Sequence, residues 1–119
     1  MFKGQTNNLS FSQFFDHVEE CEWAIEVCAE FGLPIAATMT VGPMGDLDNV
    51  SAADCAVRMA RAGACLVGTN CYYDPTTTLE TLALMKEGLA KAGLLDRPTY
   101  LMAQPLGFNC PDAANTKYG

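Results

Sequence analysis

Short apolar runs alternate along the chain with longer segments in which apolar residues recur at helical spacing. The apolar runs begin near residues 9, 35, 65 and 99, and the three amphipathic segments lie between them. A step of roughly thirty residues is the length of one βα unit, in which a helix connects two parallel strands. The pattern therefore predicts an α/β fold with a parallel sheet and about three and a half βα units.

The predicted strands differ in composition. Residues 35–40 and 65–69 are nearly continuous apolar runs, which are typical of strands covered on both faces. Residues 99–104 form the last run, which Pro105 ends. Residues 9–15 alternate weakly and contain several polar side chains. The two middle strands are therefore expected at the buried centre of the sheet.

The first two helices carry terminal signals. Asp16 followed by Glu19 resembles a capping box, which would start a helix that ends near Phe31. Ser51 is the expected N-cap of the second helix, and Gly63 ends it. The first helix is expected to place on one face Val18, Cys21, Ala24, Ile25, Cys28 and Ala29.

The third helix is expected to start at Thr76–Thr78 and to end at Gly93. Glu87 and Lys91 lie four residues apart and would form a favourable surface pair. The apolar residues at helical spacing are Leu79, Leu82, Met85, Leu89 and Ala92. These residues are predicted to pack against the sheet.

Cys71 is the most prominent candidate for chemistry. It follows the strand predicted to end at Thr69, and parallel α/β proteins place their active sites at the carboxyl ends of strands. A cysteine there is either a metal ligand or nucleophile, or a small apolar residue that fills space. The residues alone leave both interpretations open.

Charge and composition narrow the possible functions. The chain has 14 acidic and 7 basic residues, and its formal charge of −7 disfavours nucleic acid and anionic membranes as partners. The uncharged stretches are short and interrupted, and the N-terminal residues lack the apolar core of a secretory signal. We therefore expect a cytoplasmic protein.

The six cysteines are expected to be reduced thiols, because none has the spacing of a CxxC motif and a cytoplasmic location is expected. Cys110 has no predicted role. His17, the single histidine, has no partner at ligand spacing and is not predicted to be catalytic. The cysteines predicted to lie in the core are Cys21, Cys28, Cys55 and Cys65.

Four segments occur together in a fixed order. They are Phe15–Glu20 with Trp23–Ala24, Ile35–Met39 leading to Gly42–Leu47, Gly68–Cys71 with Asp74–Thr76, and Leu84–Leu89. Gln104-Pro105-Leu106 extends the set. In this combination the chain resembles the homocysteine S-methyltransferase family, and specifically its betaine-using branch.

The resemblance implies that residues 14–112 are the central part of a homocysteine-binding (β/α)8 TIM barrel, a fold longer than this chain. Residues 1–13 match poorly, and residues 113–119 form a tail. The full-length form would be a homo-oligomer. The alternatives are a non-catalytic truncated product, or a small open-sheet α/β module that binds a ligand at its strand ends.

The resemblance also implies a reaction, the transfer of a methyl group from betaine to the thiol of homocysteine, giving methionine and dimethylglycine. In the family three cysteine thiolates hold a catalytic Zn²⁺, which stabilises the homocysteine thiolate. Cys71 matches the first of these ligands. The other two form an adjacent pair in a Gly-Gly-Cys-Cys-Gly segment, which this sequence lacks. The fragment is therefore expected to be inactive alone.

The substrate-binding positions depart from the family pattern. A family glutamate that binds the homocysteine amino group aligns with Gln13, and the tyrosine that follows it aligns with Phe14. Glutamine keeps a hydrogen-bond acceptor but loses the charge, so Gln13 is the predicted substrate-binding residue. Aromatic faces bind cations such as betaine, and Phe14, Tyr72 and Tyr73 lie nearest the strand ends, where core packing is the alternative role.

Overall fold

The computed structural model describes residues 2–3, 10–96 and 99–107. In chain order its elements are β1 Phe2–Lys3, β2 Ser10–Phe15, α1 Val18–Ala29, β3 Ile35–Met39, α2 Ala52–Ala62, β4 Leu66–Asn70, α3 Pro75–Lys91 and β5 Tyr100–Gln104. The described residues thus contain three βα units followed by a further strand, which agrees with the predicted alternation.

The described strands form one sheet in the order β1-β2-β3-β4-β5. Strands β2 to β5 are parallel, and β1 pairs antiparallel with β2. Because each parallel strand lies beside its predecessor, right-handed connections place the helices on one face of the sheet. A doubly wound sheet reverses its strand order, and the described strands show no reversal. The α/β class is confirmed.

The core lies between the helices and one face of the sheet. Ala37, Val67 and Leu101 are aligned across three neighbouring strands and face this core. The main helical contributors are Val18, Cys21, Ile25, Cys28, Cys55, Met59, Met85 and Leu89. Burial raises the pKa of the Cys21 thiol to about 12, so this predicted core cysteine stays protonated at neutral pH.

The N-terminus of α1 is capped differently from the prediction. Asp16 and Glu19 do not form a capping box, because His17 occupies the N-cap position and makes no cap hydrogen bond with its side chain. Asp46, in the connection between β3 and α2, accepts a hydrogen bond from the Val18 N–H at 3.0 Å. A residue distant in sequence therefore takes the capping role.

Asp46 also organises the connection in which it lies. Its carboxylate is buried, and Oδ1 accepts hydrogen bonds from the N–H groups of Asp48 and Val50, both at 2.9 Å. Gly45 precedes it with φ +88°, and a Cβ there would overlap the Val50 carbonyl oxygen. One carboxylate thus holds the connection folded and attaches it to α1.

The predicted caps of α2 are confirmed. Ser51 accepts a hydrogen bond from the Asp54 N–H at 3.1 Å, and Gly63 is the C-cap residue with φ +128°. Arg58 pairs with Glu22 of α1 and joins the two helices.

The predicted start and buried face of α3 need correction. The helix begins at Pro75, with the Asp74 side chain accepting a hydrogen bond from the Thr77 N–H at 2.9 Å. Leu79 is 64% exposed and does not pack against the sheet. The buried residues are Thr77, Thr78, Thr81, Met85 and Leu89. Although α3 is the longest described helix, no described helix is long and apolar enough to cross a bilayer.

Candidate active site

Polar residues meet at the carboxyl ends of the four parallel strands. Asp16 follows β2, Thr40 follows β3, Cys71 follows β4, and Gln104 is the last residue of β5. Parallel strands end at the same edge of a sheet, which is where α/β proteins bind ligands. These four residues define the rim, and the prediction that Cys71 lies just past a strand end is confirmed.

Cys71 sits in a constrained turn. The φ angles of Cys71 and Tyr72 are 58° and 62°, in the left-handed region that costs a non-glycine residue roughly 1–2 kcal/mol. The Cys71 N–H donates to the Gln104 carbonyl oxygen at 2.9 Å, and the Tyr73 N–H donates to the Cys71 carbonyl oxygen at 2.7 Å. These bonds hold the half-buried Cys71 beside the end of β5.

A second cluster of residues at the rim lies around the Asp16 carboxylate. The single O–H of Thr40 lies within hydrogen-bond distance of two acceptors, the Asp16 carboxylate and the Phe15 carbonyl oxygen. Tyr73 packs so closely on Gly42 that a Cβ on this glycine would overlap the Tyr73 ring. Burial, and then the Asp16 carboxylate, raise the pKa of Tyr73, so its hydroxyl is protonated at neutral pH.

The sheet face opposite the helices holds two buried polar atoms without hydrogen-bond partners among the described residues. They are Thr38 Oγ1 and Gln104 Oε1. Thr38 aligns with Gly68, and Gln104 aligns with Asn70 two residues further along β4, so both side chains belong to one face. Burying a polar atom without a partner costs about 1–3 kcal/mol. The polar groups of a ligand would satisfy both atoms.

The other residues that the sequence analysis singled out lie partly inside and partly outside the described structure. Gln13 and Phe14 belong to β2, but their side chains lie outside the described structure, as does Cys110. Tyr73 is buried, whereas Tyr72 is 38% exposed near the rim, and the role of the two rings in cation binding or packing stays a prediction. The described structure therefore brings Cys71 and Tyr72 together and leaves the placement of the Gln13 side chain as a prediction.

Several polar residues at or near the rim were not predicted as site residues from the sequence. Gln104 could have been found, because it is a polar residue at the end of a predicted strand and directly precedes Pro105. Thr38 gave no signal within its apolar run. His17 pairs with Asp48 at 2.8 Å, which raises the pKa of its imidazole, and the prediction that it has no catalytic role remains untested.

Comparison with known protein families identifies the family of this chain. The family model described as homocysteine S-methyltransferase matches residues 4–118. The chain belongs to the homocysteine S-methyltransferase family. This confirms the resemblance based on the four sequence segments, and it makes the chain a member of a methyltransferase family.

Curated relatives share this family and are much longer than the chain. Betaine–homocysteine S-methyltransferase 1 of Sus scrofa is 47% identical over 112 residues, which cover 94% of this chain and 39% of the relative. The protein of that name from Bos taurus is 52% identical over 101 residues, which cover 85% of this chain and 24% of the relative. S-methylmethionine–homocysteine S-methyltransferase BHMT2 of Rattus norvegicus is 47% identical over 112 residues, which cover 94% of this chain and 30% of the relative. The chain thus spans 24–39% of the length of these relatives.

Proposed function

We propose that this chain carries part of the active site of an enzyme that transfers a methyl group from betaine to homocysteine, giving methionine and dimethylglycine. The observation that carries the proposal is the hydrogen bond from the Cys71 N–H to the Gln104 carbonyl oxygen at the rim, which fixes a cysteine next to a residue whose side-chain amide oxygen has no partner among the described residues. The family and the names of the relatives point to homocysteine as the accepting thiol.

The two buried polar atoms suit the ends of an amino acid substrate. An amide oxygen accepts hydrogen bonds from an ammonium group, and a hydroxyl can donate to a carboxylate. Gln104 Oε1 would therefore accept from the α-ammonium group of homocysteine, and Thr38 Oγ1 would donate to its carboxylate. Gln13 is proposed as a second acceptor for the ammonium group. Such contacts orient the substrate so that its sulfur meets the methyl donor.

The methyl transfer is a single displacement. The homocysteine sulfur forms a bond to a methyl carbon as the bond from that carbon to the betaine nitrogen breaks, and the nitrogen leaves with the electron pair. The thiol loses its proton to solvent, since the thiolate is the nucleophile. S-methylmethionine is a second candidate donor, because the Rattus norvegicus protein named for it is as similar as the Sus scrofa protein.

The sheet belongs, in our proposal, to a (β/α)8 barrel completed by a longer chain. Two observations support this: the parallel strands follow one another in sequence order, and the helices cover a single face. In a barrel the opposite face, which holds Thr38 and Gln104, points to the interior. The outer edge of β5 would then pair with the next strand of the longer chain.

Zinc is the metal implied by the family resemblance, with Cys71 as one ligand. Within residues 2–3, 10–96 and 99–107, no group of three or more histidine, cysteine, aspartate or glutamate side chains could hold a metal ion. The described residues alone therefore do not fit a zinc site. We propose only that Cys71 would supply one thiolate when a longer chain provides the other ligands.

The 119-residue chain alone is expected to lose zinc. A single thiolate cannot provide the affinity of a site with several ligands, so dialysis against a mild chelator should leave well below one zinc per chain. Zinc content after dialysis, measured by atomic absorption, checks this expectation. One zinc per chain would show instead that Cys110 or another residue completes a site.

A chimera tests the proposed function. Residues 14–112 would replace the matching segment of the Bos taurus relative, which is about four times as long as the matched segment and would supply the missing units. If this chain carries a competent part of the active site, the chimera should transfer methyl groups to homocysteine within about tenfold of the parent rate. Separate assays with betaine and S-methylmethionine identify the donor. A chimera with the parent's fold and zinc content but no transfer from either donor contradicts the proposal.

A further inference from the structure

Tyr73 connects the ends of neighbouring strands through its main chain. Its N–H donates to the Cys71 carbonyl oxygen at 2.7 Å, and its own carbonyl oxygen accepts from the Leu106 N–H at 2.8 Å. The same carbonyl oxygen accepts from the Thr78 hydroxyl of α3 at 3.4 Å. The residue that holds Cys71 is therefore itself bonded to the segment after β5 and to α3.

The Tyr73 ring packs against the connection between β3 and α2. The residue is only 1% exposed, and a Cβ on Gly42 would lie 2.4 Å from Cζ and 2.7 Å from the hydroxyl oxygen of Tyr73. The φ of Gly42 lies outside the left-handed region, so the position needs glycine for space and not for its backbone conformation. The ring thus fills all the room between itself and the connection.

The backbone on which the ring packs is held on both sides of Gly42. The Thr69 hydroxyl donates to the carbonyl oxygen of Val41, the preceding residue, at 2.7 Å. The Gly45 N–H donates to the Gly42 carbonyl oxygen at 3.0 Å. The buried Asp46 carboxylate then keeps the rest of the connection folded. The ring therefore rests on a fixed surface.

The turn that Tyr73 closes is strained. The bond from the Tyr73 N–H to the Cys71 carbonyl oxygen spans three residues, and both Cys71 and Tyr72 lie in the left-handed region. Such a conformation persists only where the surrounding structure holds it. We propose that the Tyr73 ring, packed against Gly42, is the positioning group that keeps Cys71 in this turn at the rim. Its importance for methyl transfer rests on the function proposed above.

Alkylation of the 119-residue chain measures how firmly Cys71 is held. The chain is labelled to low extent with iodoacetamide, and tandem mass spectrometry assigns the label to each cysteine. Tyr73→Leu should raise the rate at the half-buried Cys71 at least about fivefold, because a relaxed turn exposes the thiol more often. The rate at Cys65, before the start of β4, should stay within about twofold. Continued protection of the buried Cys21 shows that the variant is folded.

Gly42→Ala tests the same contact from the side of the connection. The added methyl group overlaps the Tyr73 ring and should displace it, so the rate at Cys71 should again rise at least about fivefold. Tyr73→Leu removes the ring atoms nearest to that methyl group. In the Tyr73→Leu background, Gly42→Ala should therefore change the rate by less than about twofold, which is the non-additivity expected of two residues in contact.

Two control variants separate the ring from its hydroxyl and from its chemical type. Tyr73→Phe keeps the ring on Gly42 and should leave the rate at Cys71 within about threefold. Tyr100→Leu makes the same exchange as Tyr73→Leu at the start of β5, where Tyr100 is 63% exposed. This variant should leave the rate at Cys71 unchanged.

The chimera that carries residues 14–112 shows what the position of Cys71 means for the reaction. Tyr73→Leu should lower kcat at least about tenfold and leave the KM for the methyl donor within about twofold, because the ring acts through Cys71 and not on the donor. Tyr73→Phe should restore kcat. A wild-type chimera without methyl transfer contradicts the proposed function, whereas the alkylation rates still decide whether Tyr73 positions Cys71.

Four results overturn the proposal. An unchanged rate at Cys71 in Tyr73→Leu means that the ring does not hold the turn, and additive effects of Gly42→Ala and Tyr73→Leu mean that the two residues act separately. Equal acceleration at Cys21, Cys65 and Cys71 means that the ring only stabilises the whole fold. A raised donor KM with unchanged kcat would make the Tyr73 ring part of the donor site.

Discussion

In the chimera that carries residues 14–112, Cys71→Ser is expected to lower methyl transfer at least about a hundredfold and to remove zinc. Serine is close to cysteine in size but is not an anion at neutral pH, so it cannot replace a thiolate ligand. The backbone hydrogen bonds that hold this turn do not involve the side chain, so the fold should be preserved. Activity, zinc content and the melting temperature of the metal-free proteins are the measurements.

Cys65→Ser is the matched control for this experiment. Cys65 precedes β4 at the end opposite to Cys71, is half-buried, and donates a hydrogen bond from Sγ to the Ile35 carbonyl oxygen at 3.5 Å. A serine hydroxyl can make the same bond, so activity and zinc content should stay within about twofold of the chimera. If Cys71→Ser retains zinc and transfers methyl groups as fast as Cys65→Ser, Cys71 only fills space.

Gly68→Ala is expected to lower the free energy of unfolding by about 3 kcal/mol. A Cβ on Gly68 would overlap the Met102 carbonyl oxygen on β5, and the Met102 carbonyl carbon would be 2.7 Å away. These contacts are with backbone, which cannot move aside as a flexible side chain can. Strands β4 and β5 would have to separate, and the ladder that aligns Asn70 with Gln104 would be disturbed. Urea denaturation of the 119-residue chain measures the change.

Gly107→Ala controls for the general effect of replacing glycine. A Cβ at Gly107 has no atom within 4 Å, and its φ lies outside the left-handed region. This variant should change the free energy of unfolding by less than about 1 kcal/mol. Equal stability of the two variants would mean that β4 and β5 are further apart than the structure has them.

The regular alternation of apolar runs and amphipathic segments made most of the fold predictable from the sequence. Each of the four apolar runs became a strand, with boundaries that differ from the predicted ones by one residue, as at Leu66–Asn70. Local signals were also reliable where both partners are close in sequence. The Ser51 cap and the ion pair between Glu87 and Lys91, at 2.7 Å, are two such cases.

The wrong predictions share a cause, which is competition from residues distant in sequence. Asp16 has the sequence pattern of an N-cap, but the Thr40 hydroxyl bonds to its carboxylate while Asp46 takes the first N–H of α1. In the candidate site, Gln104 becomes a neighbour of Cys71, and Thr38 shares a sheet face with Gln104, only through the alignment of strands. No pattern within one segment contains that information.

Leu79 was predicted to be buried because it belongs to the apolar residues that recur at helical spacing in α3. The structure buries Thr81 and its neighbours in α3 because their hydroxyls find partners within the same segment. The Thr81 hydroxyl donates to the Thr77 carbonyl oxygen at 3.0 Å, and the Thr78 hydroxyl donates to the Tyr73 carbonyl oxygen at 3.4 Å. Once these groups are satisfied, threonine packs like a small apolar residue.

The cap of α1 has a consequence for the order in which the chain is made. The Val18 N–H and the Asp46 carboxylate that accepts its hydrogen bond are 28 positions apart. As the chain grows on a ribosome, α1 is complete well before its capping residue has been translated. The segment that closes around this cap therefore extends from β2 through β3 and the connection as far as Val50, and α1 lacks its cap until that connection has been made.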